Sequence, residues 1–154
     1  GPFQFPEKFL PLLIHNATRN KQLQIYGSGN NIRDWIFVKD HCEGIYSALC
    51  NGLRGEVYNF GGETELRNID LAHKVLDLLD KPKSLISHID DRKGHDYRYA
   101  IDITKAKKEL KWSPEVNFKD GLKFTVDWYS NNSKWLDLVT SGDYQRYYDE
   151  QYNY

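Results

Sequence analysis

The stretch Tyr26-Gly-Ser-Gly-Asn-Asn-Ile-Arg-Asp-Trp-Ile-Phe-Val-Lys-Asp40 leaves the chain few options. Gly27 and Gly29 sit where a tight reversal needs positive φ, which a Cβ resists. From Arg33 onward Trp35 and Phe37 fall on one face and Ile36 and Val38 on the other, a strand pattern. Asp40 then reads as the N-cap of a helix whose apolar stripe is Cys42, Ile45, Tyr46 and Leu49. Strand, glycine turn, strand and helix follow, an α/β arrangement. Arg33 stands on rigid backbone between turn and strand, either as an anion clamp or as a surface ion pair with Asp34.

The 154 residues suffice for one domain, and 40% hydrophobic and 14% aromatic content suit a globular protein. A net charge of −1, with no run of lysine or arginine, points away from nucleic acid and membrane surfaces. There is no apolar stretch of about 18 residues and no signal peptide. Cys42 and Cys50 lie about 12 Å apart along one predicted helix, beyond disulfide reach, and read as reduced thiols of a cytoplasmic protein. The opening Gly1-Pro2 and the lack of any methionine suggest a piece of something longer.

Pro6 to Pro11 leads into a helix with Pro11 in its first turn, so Lys8 lies just ahead of a helix N-terminus; a solvated lysine is the plainer reading. Leu23 to Tyr26 reads as a short strand, and Glu56 to Phe60 as another, closed by Gly61-Gly62. Asn68 precedes the helical stripe Ile69, Ala72, Val75, Leu76 and Leu79, as its N-cap, facing an anion at the same helix end, or both. Leu85 to Ile89 and Tyr97 to Ile101 read as strands. The polar loop Asp90-Asp-Arg-Lys-Gly-His-Asp96 joins them and sets Arg92 near His95. A turn or solvated role suits Asp90 and Asp91 better than acid–base work, and His95 alone reads as an exposed loop histidine. Asp102 caps a short helix that buries Ala106 and Leu110, and Trp112-Ser-Pro114 breaks it. Asn117 and Asp120 open a longer helix carrying Phe118, Leu122, Thr125, Val126 and Tyr129. Beyond Trp135, Leu136, Leu138 and Val139, residues Tyr144, Tyr147, Tyr148 and Tyr152 recur at helical spacing, a packing pattern.

No dinucleotide fingerprint is present: Gly27-Ser-Gly29-Asn-Asn-Ile32 lacks a third glycine and opens a strand rather than a helix. His15, His41, His73, His88 and His95 show no metal-ligand spacing, so no metal is expected. No nucleophile set can be proposed from residue order.

Arg33-Asp-Trp-Ile-Phe-Val-Lys-Asp40, Tyr99-Ala-Ile-Asp-Ile-Thr-Lys-Ala106, Trp112-Ser-Pro114 and Gly121-Leu122 with Thr125-Val-Asp-Trp-Tyr129 together resemble the carboxyl-terminal half of extended short-chain dehydrogenase/reductases acting on nucleotide sugars. Gly1-Pro-Phe-Gln-Phe-Pro-Glu-Lys8, Asp91-Arg-Lys-Gly-His-Asp96 and the tail Ser141-Gly-Asp-Tyr-Gln-Arg-Tyr-Tyr148 are similar to the dTDP-glucose 4,6-dehydratase family. The resemblance implies an α/β, Rossmann-like superfamily fold whose N-terminal Rossmann core is missing, with residues 1–154 as one nucleotide-sugar-binding unit. It makes Gly1-Pro2 a native sequence. It implies NAD as cofactor of the full-length, homodimeric enzyme. The NAD fingerprint and the catalytic Tyr-x-x-x-Lys, threonine and Asp-Glu residues would precede this chain, leaving no catalytic residue here and a fragment inactive alone. The substrate-binding residues carried over are Lys8, Phe9, Gln24, Ile25, Tyr26, Arg33, Asn68, Asp91, Arg92, Lys93, Gly94 and His95, with dTDP-glucose or dTDP as ligand. Gln24 and Lys93 stand where the family often has proline. A related epimerase, decarboxylase or dehydratase, or a non-catalytic binding module, is the alternative. Having been cut from a two-lobed protein, the chain should expose an apolar face.

Overall fold

The structure, a computed structural model, describes residues 1–142 together with Arg146 and Glu150. Tyr144, Tyr147, Tyr148 and Tyr152 lie outside the described residues. The elements in order are α1 (Phe9–Thr18), β1 (Leu23–Tyr26), β2 (Ile32–Asp34), α2 (Val38–Asn51), β3 (Glu65–Arg67), α3 (Asn68–Leu78), β4 (Ile86–Ile89), β5 (Arg98–Tyr99), α4 (Phe118–Asn131) and α5 (Ser133–Val139). A short 3₁₀ turn, Lys83–Leu85, precedes β4, and a π-helix, Ala106–Leu110, precedes α4.

Two small sheets organise the chain. β1 pairs parallel with β4, Leu23 opposite Ile86 and Tyr26 opposite Ile89. β2 is central in the other, antiparallel to β3 and parallel to β5, so Arg33 has Leu66 on one side and Tyr99 on the other. The turn between β1 and β2 holds Gly27 at φ 53° and Gly29 at φ 73°, the left-handed conformation expected there.

The main core joins α1, β1, α3, α4 and α5: Leu13, Ile14, Leu23, Ile25, Leu71, Val75, Leu76, Val126, Tyr129 and Leu136 are all buried. Each fully buried aliphatic side chain contributes roughly 1.5–3 kcal/mol. α4 begins as expected, with Asn117 as N-cap accepting from the Asp120 amide at 3.0 Å. A smaller core gathers Ile103, Ala106, Leu110 and Trp112 against Ile36, Ala48, Tyr58 and Phe60.

Several expectations are corrected. β2 ends at Asp34, and residues 35–37 run irregularly into α2. Asp40 is not the N-cap of α2, a place taken by Phe37, but lies inside its first turn, 1% exposed. There its carboxylate accepts from the Val116 amide and its carbonyl from Trp112 Nε1, both at 3.1 Å, tying α2 to the segment before α4. The stripe of Cys42, Ile45, Tyr46 and Leu49 faces outward; Leu49 is 80% exposed. α2 instead turns Asp40 and Gly44 inward, and Gly44 lies so close to the Phe60 ring that a Cβ would clash. Glu56 to Phe60 forms no strand and is held instead by side chains, Tyr58 packing into the smaller core and Asn59 reaching the Asp102 carbonyl, while Glu65–Arg67 is a strand the pattern missed. Tyr97 to Ile101 shortens to β5. Asn68 is the first residue of α3 rather than its cap. Among the described residues no helix is long and apolar enough to cross a membrane.

Candidate functional site

The carboxyl ends of β1 and β4 open onto a cleft of about 600 Å³. Parallel pairing brings these ends together: the Gly27 amide donates to the Ile89 carbonyl at 2.8 Å, so the turn after β1 meets the loop after β4. Open α/β sheets place ligands at such strand ends. The start of α1, β2, the first residue of α3, and β5 complete the walls.

Of the residues carried over by resemblance, Lys8, Phe9, Gln24, Tyr26, Arg33, Asn68, Arg92 and His95 line this one cleft. Ile25 does not, because strand alternation turns it into the core at 1% exposure while Gln24 and Tyr26 face out. Lys93 and Gly94 sit at the exposed tip of the 90–97 loop, outside the lining. Asp91 also lies outside it and acts on its neighbours: Oδ1 accepts from the Arg92 amide at 2.8 Å and lies 2.6 Å from His95 Nδ1. The histidine bond, then the Arg92 amide, hold the Asp91 carboxyl below its ordinary value. The His95 side chain is thereby fixed, 6% exposed rather than out in solvent.

Arg33 makes no ion pair with Asp34. Nη1 donates to the Ile32 carbonyl at 2.7 Å, Nη2 donates to the Asp96 carbonyl at 2.9 Å, and Cζ lies 4.7 Å from the Tyr99 ring centroid. Asp34 instead accepts from the Gly62 and Thr64 amides at 2.9 and 2.8 Å, pinning the turn ahead of β3. Arg92 Cζ lies 5.1 Å from the Tyr26 ring centroid, and His95 meets the same ring edge-on at 6.0 Å. Neither cleft arginine is ion-paired among the described residues, whereas Lys8 pairs with Glu7 at 3.0 Å and is well exposed. Two planar guanidinium forks beside an aromatic ring suit a diphosphate attached to a base.

Sequence reasoning missed Gln4, Glu7, Asp34, Trp35 and Tyr99 in the lining. Tyr99 carried a signal, being a strand residue just past the arginine loop. Trp35 and Asn68 each hold a buried polar atom, Nε1 and Oδ1, with no hydrogen-bond partner among the described residues.

The residues do not fit a dinucleotide pyrophosphate. Gly27-Ser-Gly29 leads into β2, a Cβ at Gly29 would lie 2.7 Å from the Ile25 side chain, and the first α3 amides are taken by the Asn31 and Gly29 carbonyls at 3.0 Å.

The small sheets and the strand-end cleft agree with the resemblance to extended short-chain dehydrogenase/reductases, and comparison with known proteins carries the assignment. The family model described as GDP-mannose 4,6 dehydratase matches residues 1–125, and the chain belongs to that family. It is 46% identical over 159 residues to dTDP-glucose 4,6-dehydratase 1 of Escherichia coli K12, covering 99% of this chain and 44% of that one. Among solved structures, dTDP-glucose 4,6-dehydratase from Bacillus anthracis in complex with NAD matches with TM-score 0.85 and 45% identity, over 90% of this chain and 44% of that one. DesIV, the dTDP-glucose 4,6-dehydratase of Streptomyces venezuelae, with NAD and a second ligand bound, matches with TM-score 0.88 and 43% identity, over 90% and 43%. The chain thus spans less than half the length of the curated relatives it matches.

Proposed function

We propose that residues 1–154 form one unit that binds the nucleoside-diphosphate end of dTDP-glucose, as the substrate side of a dTDP-glucose 4,6-dehydratase. One observation carries this: Arg33 and Arg92, distant in sequence and not ion-paired, line a single cleft with Tyr26. The arginines take the diphosphate, Tyr26 neighbours the thymine, and Lys8 and Asn68 add a charge and an amide. NAD and the groups that move hydride and water belong to a Rossmann half outside this sequence, so the chain alone is inactive. The exposed α2 stripe supports a missing lobe against that helix. The whole enzyme is read as a cytoplasmic homodimer, and the exposed free thiols of Cys42 and Cys50 suit a reducing compartment.

The family model's description favours one rival, a GDP-sugar ligand. Calorimetric titration with dTDP, UDP and GDP separates the readings. Preferential binding of dTDP is expected; tighter GDP binding supports the rival, and no binding of any of the three overturns the cleft's role.

A further inference from the structure

Arg33 is held on three sides, two by backbone carbonyls and the third by the Tyr99 ring. The stack follows from register: Arg33 and Tyr99 are direct partners across β2 and β5, so their side chains share a sheet face. Core packing does not require an aromatic there, since Tyr99 is 57% exposed. Its ring nevertheless lies in the wall of the cleft. A guanidinium stacked on a ring and anchored through two N–H groups keeps its remaining donors in a fixed plane. A planar fork recognises a diphosphate only when that plane is held in the right orientation.

We propose that Tyr99 is a positioning residue for nucleoside-diphosphate binding, acting through Arg33. This rests on the nucleotide reading above and names what orients its central cation. A ring suffices, and the hydroxyl is dispensable.

The test compares Tyr99→Phe and Tyr99→Leu, each alone and with Arg33→Ala, by calorimetric titration of the full chain with dTDP. Tyr99→Phe should bind within about twofold of the parent, and Tyr99→Leu about threefold to fivefold more weakly. In the Arg33→Ala background, Tyr99→Leu should add nothing further. The Arg33 Nε–H proton resonance reports the stack without ligand: its ring-current shift should persist in Tyr99→Phe and vanish in Tyr99→Leu. Equal weakening in both backgrounds overturns the proposal, because Tyr99 would then act on the ligand or the fold directly. Unchanged affinity in Tyr99→Leu also overturns it. A parent chain that shows the resonance shift but binds no nucleotide refutes the nucleotide reading, and the positioning role falls with it while the stack stands.

Discussion

Arg33 joins two jobs in one side chain. Its hydrogen bond to the Asp96 carbonyl fastens the loop that carries Arg92 and His95, and the residue itself lines the cleft. Arg33→Ala is therefore expected to weaken dTDP binding by about 2–4 kcal/mol, and calorimetry showing a loss below ~0.5 kcal/mol would remove it from the site. Arg33→Lys should restore little of this, since an ammonium cannot reach two carbonyls in one plane and stack as well. His15 offers a second test. It is 7% exposed, and its Nδ1 lies 3.2 Å from Arg19 Nη1, which can only donate, so that nitrogen accepts. Burial first, then Arg19 and Lys21, lower its pKa from 6.5 to about 4. The folded state thus holds the neutral ring while the unfolded chain takes up a proton below pH 6.5. Its contribution is complete above pH 6.5 and is lost as pH falls toward about 4, amounting to about 3 kcal/mol. Chemical denaturation of the parent and His15→Gln at both ends of that range should show the variant with a shallower pH dependence.

Among the elements, the short sheet around β2 depends on the turn that Asp34 grips. Asp34→Ala leaves the Gly62 and Thr64 amides without their acceptor and should destabilise the fold by about 2–3 kcal/mol. At Gly62 a Cβ would lie 1.8 Å from the Trp35 carbonyl oxygen, so Gly62→Ala should cost about 2 kcal/mol or more. Denaturant midpoints measure both, and a loss under ~0.5 kcal/mol in either would show that the turn does not hold the sheet. Neither contact was legible from spacing: the helical stripe of α3 was read correctly, but β3 ahead of it was missed. Three residues too few to show alternation became a strand only because β2 lies alongside.

For the whole molecule, α2 is the informative surface. Ile45, Tyr46, Leu49 and Leu53 are all more than half exposed on or just beyond it. An apolar face of this kind marks an interaction surface. The double variant Ile45→Lys, Leu49→Lys should keep the chain's thermal stability while lowering its self-association in light scattering. A clear drop in stability would mean the stripe is covered within this chain.

Local patterns in the chain sufficed for most of the elements, since helix stripes, caps and glycine turns are set by neighbours a few residues away. α1, α3, α4, β1 and the positive φ at Gly27 and Gly29 fall in this group. Folding in three dimensions settled direction and company. Periodicity finds an apolar stripe without saying what covers it, so α2 was read inside out. Adjacency in a strand cannot say which residue faces the cleft, so Ile25 went to the core while Tyr26 stayed outside. Tyr99 meets Arg33 only through β2–β5 pairing across more than sixty residues of chain, a contact that no local pattern encodes.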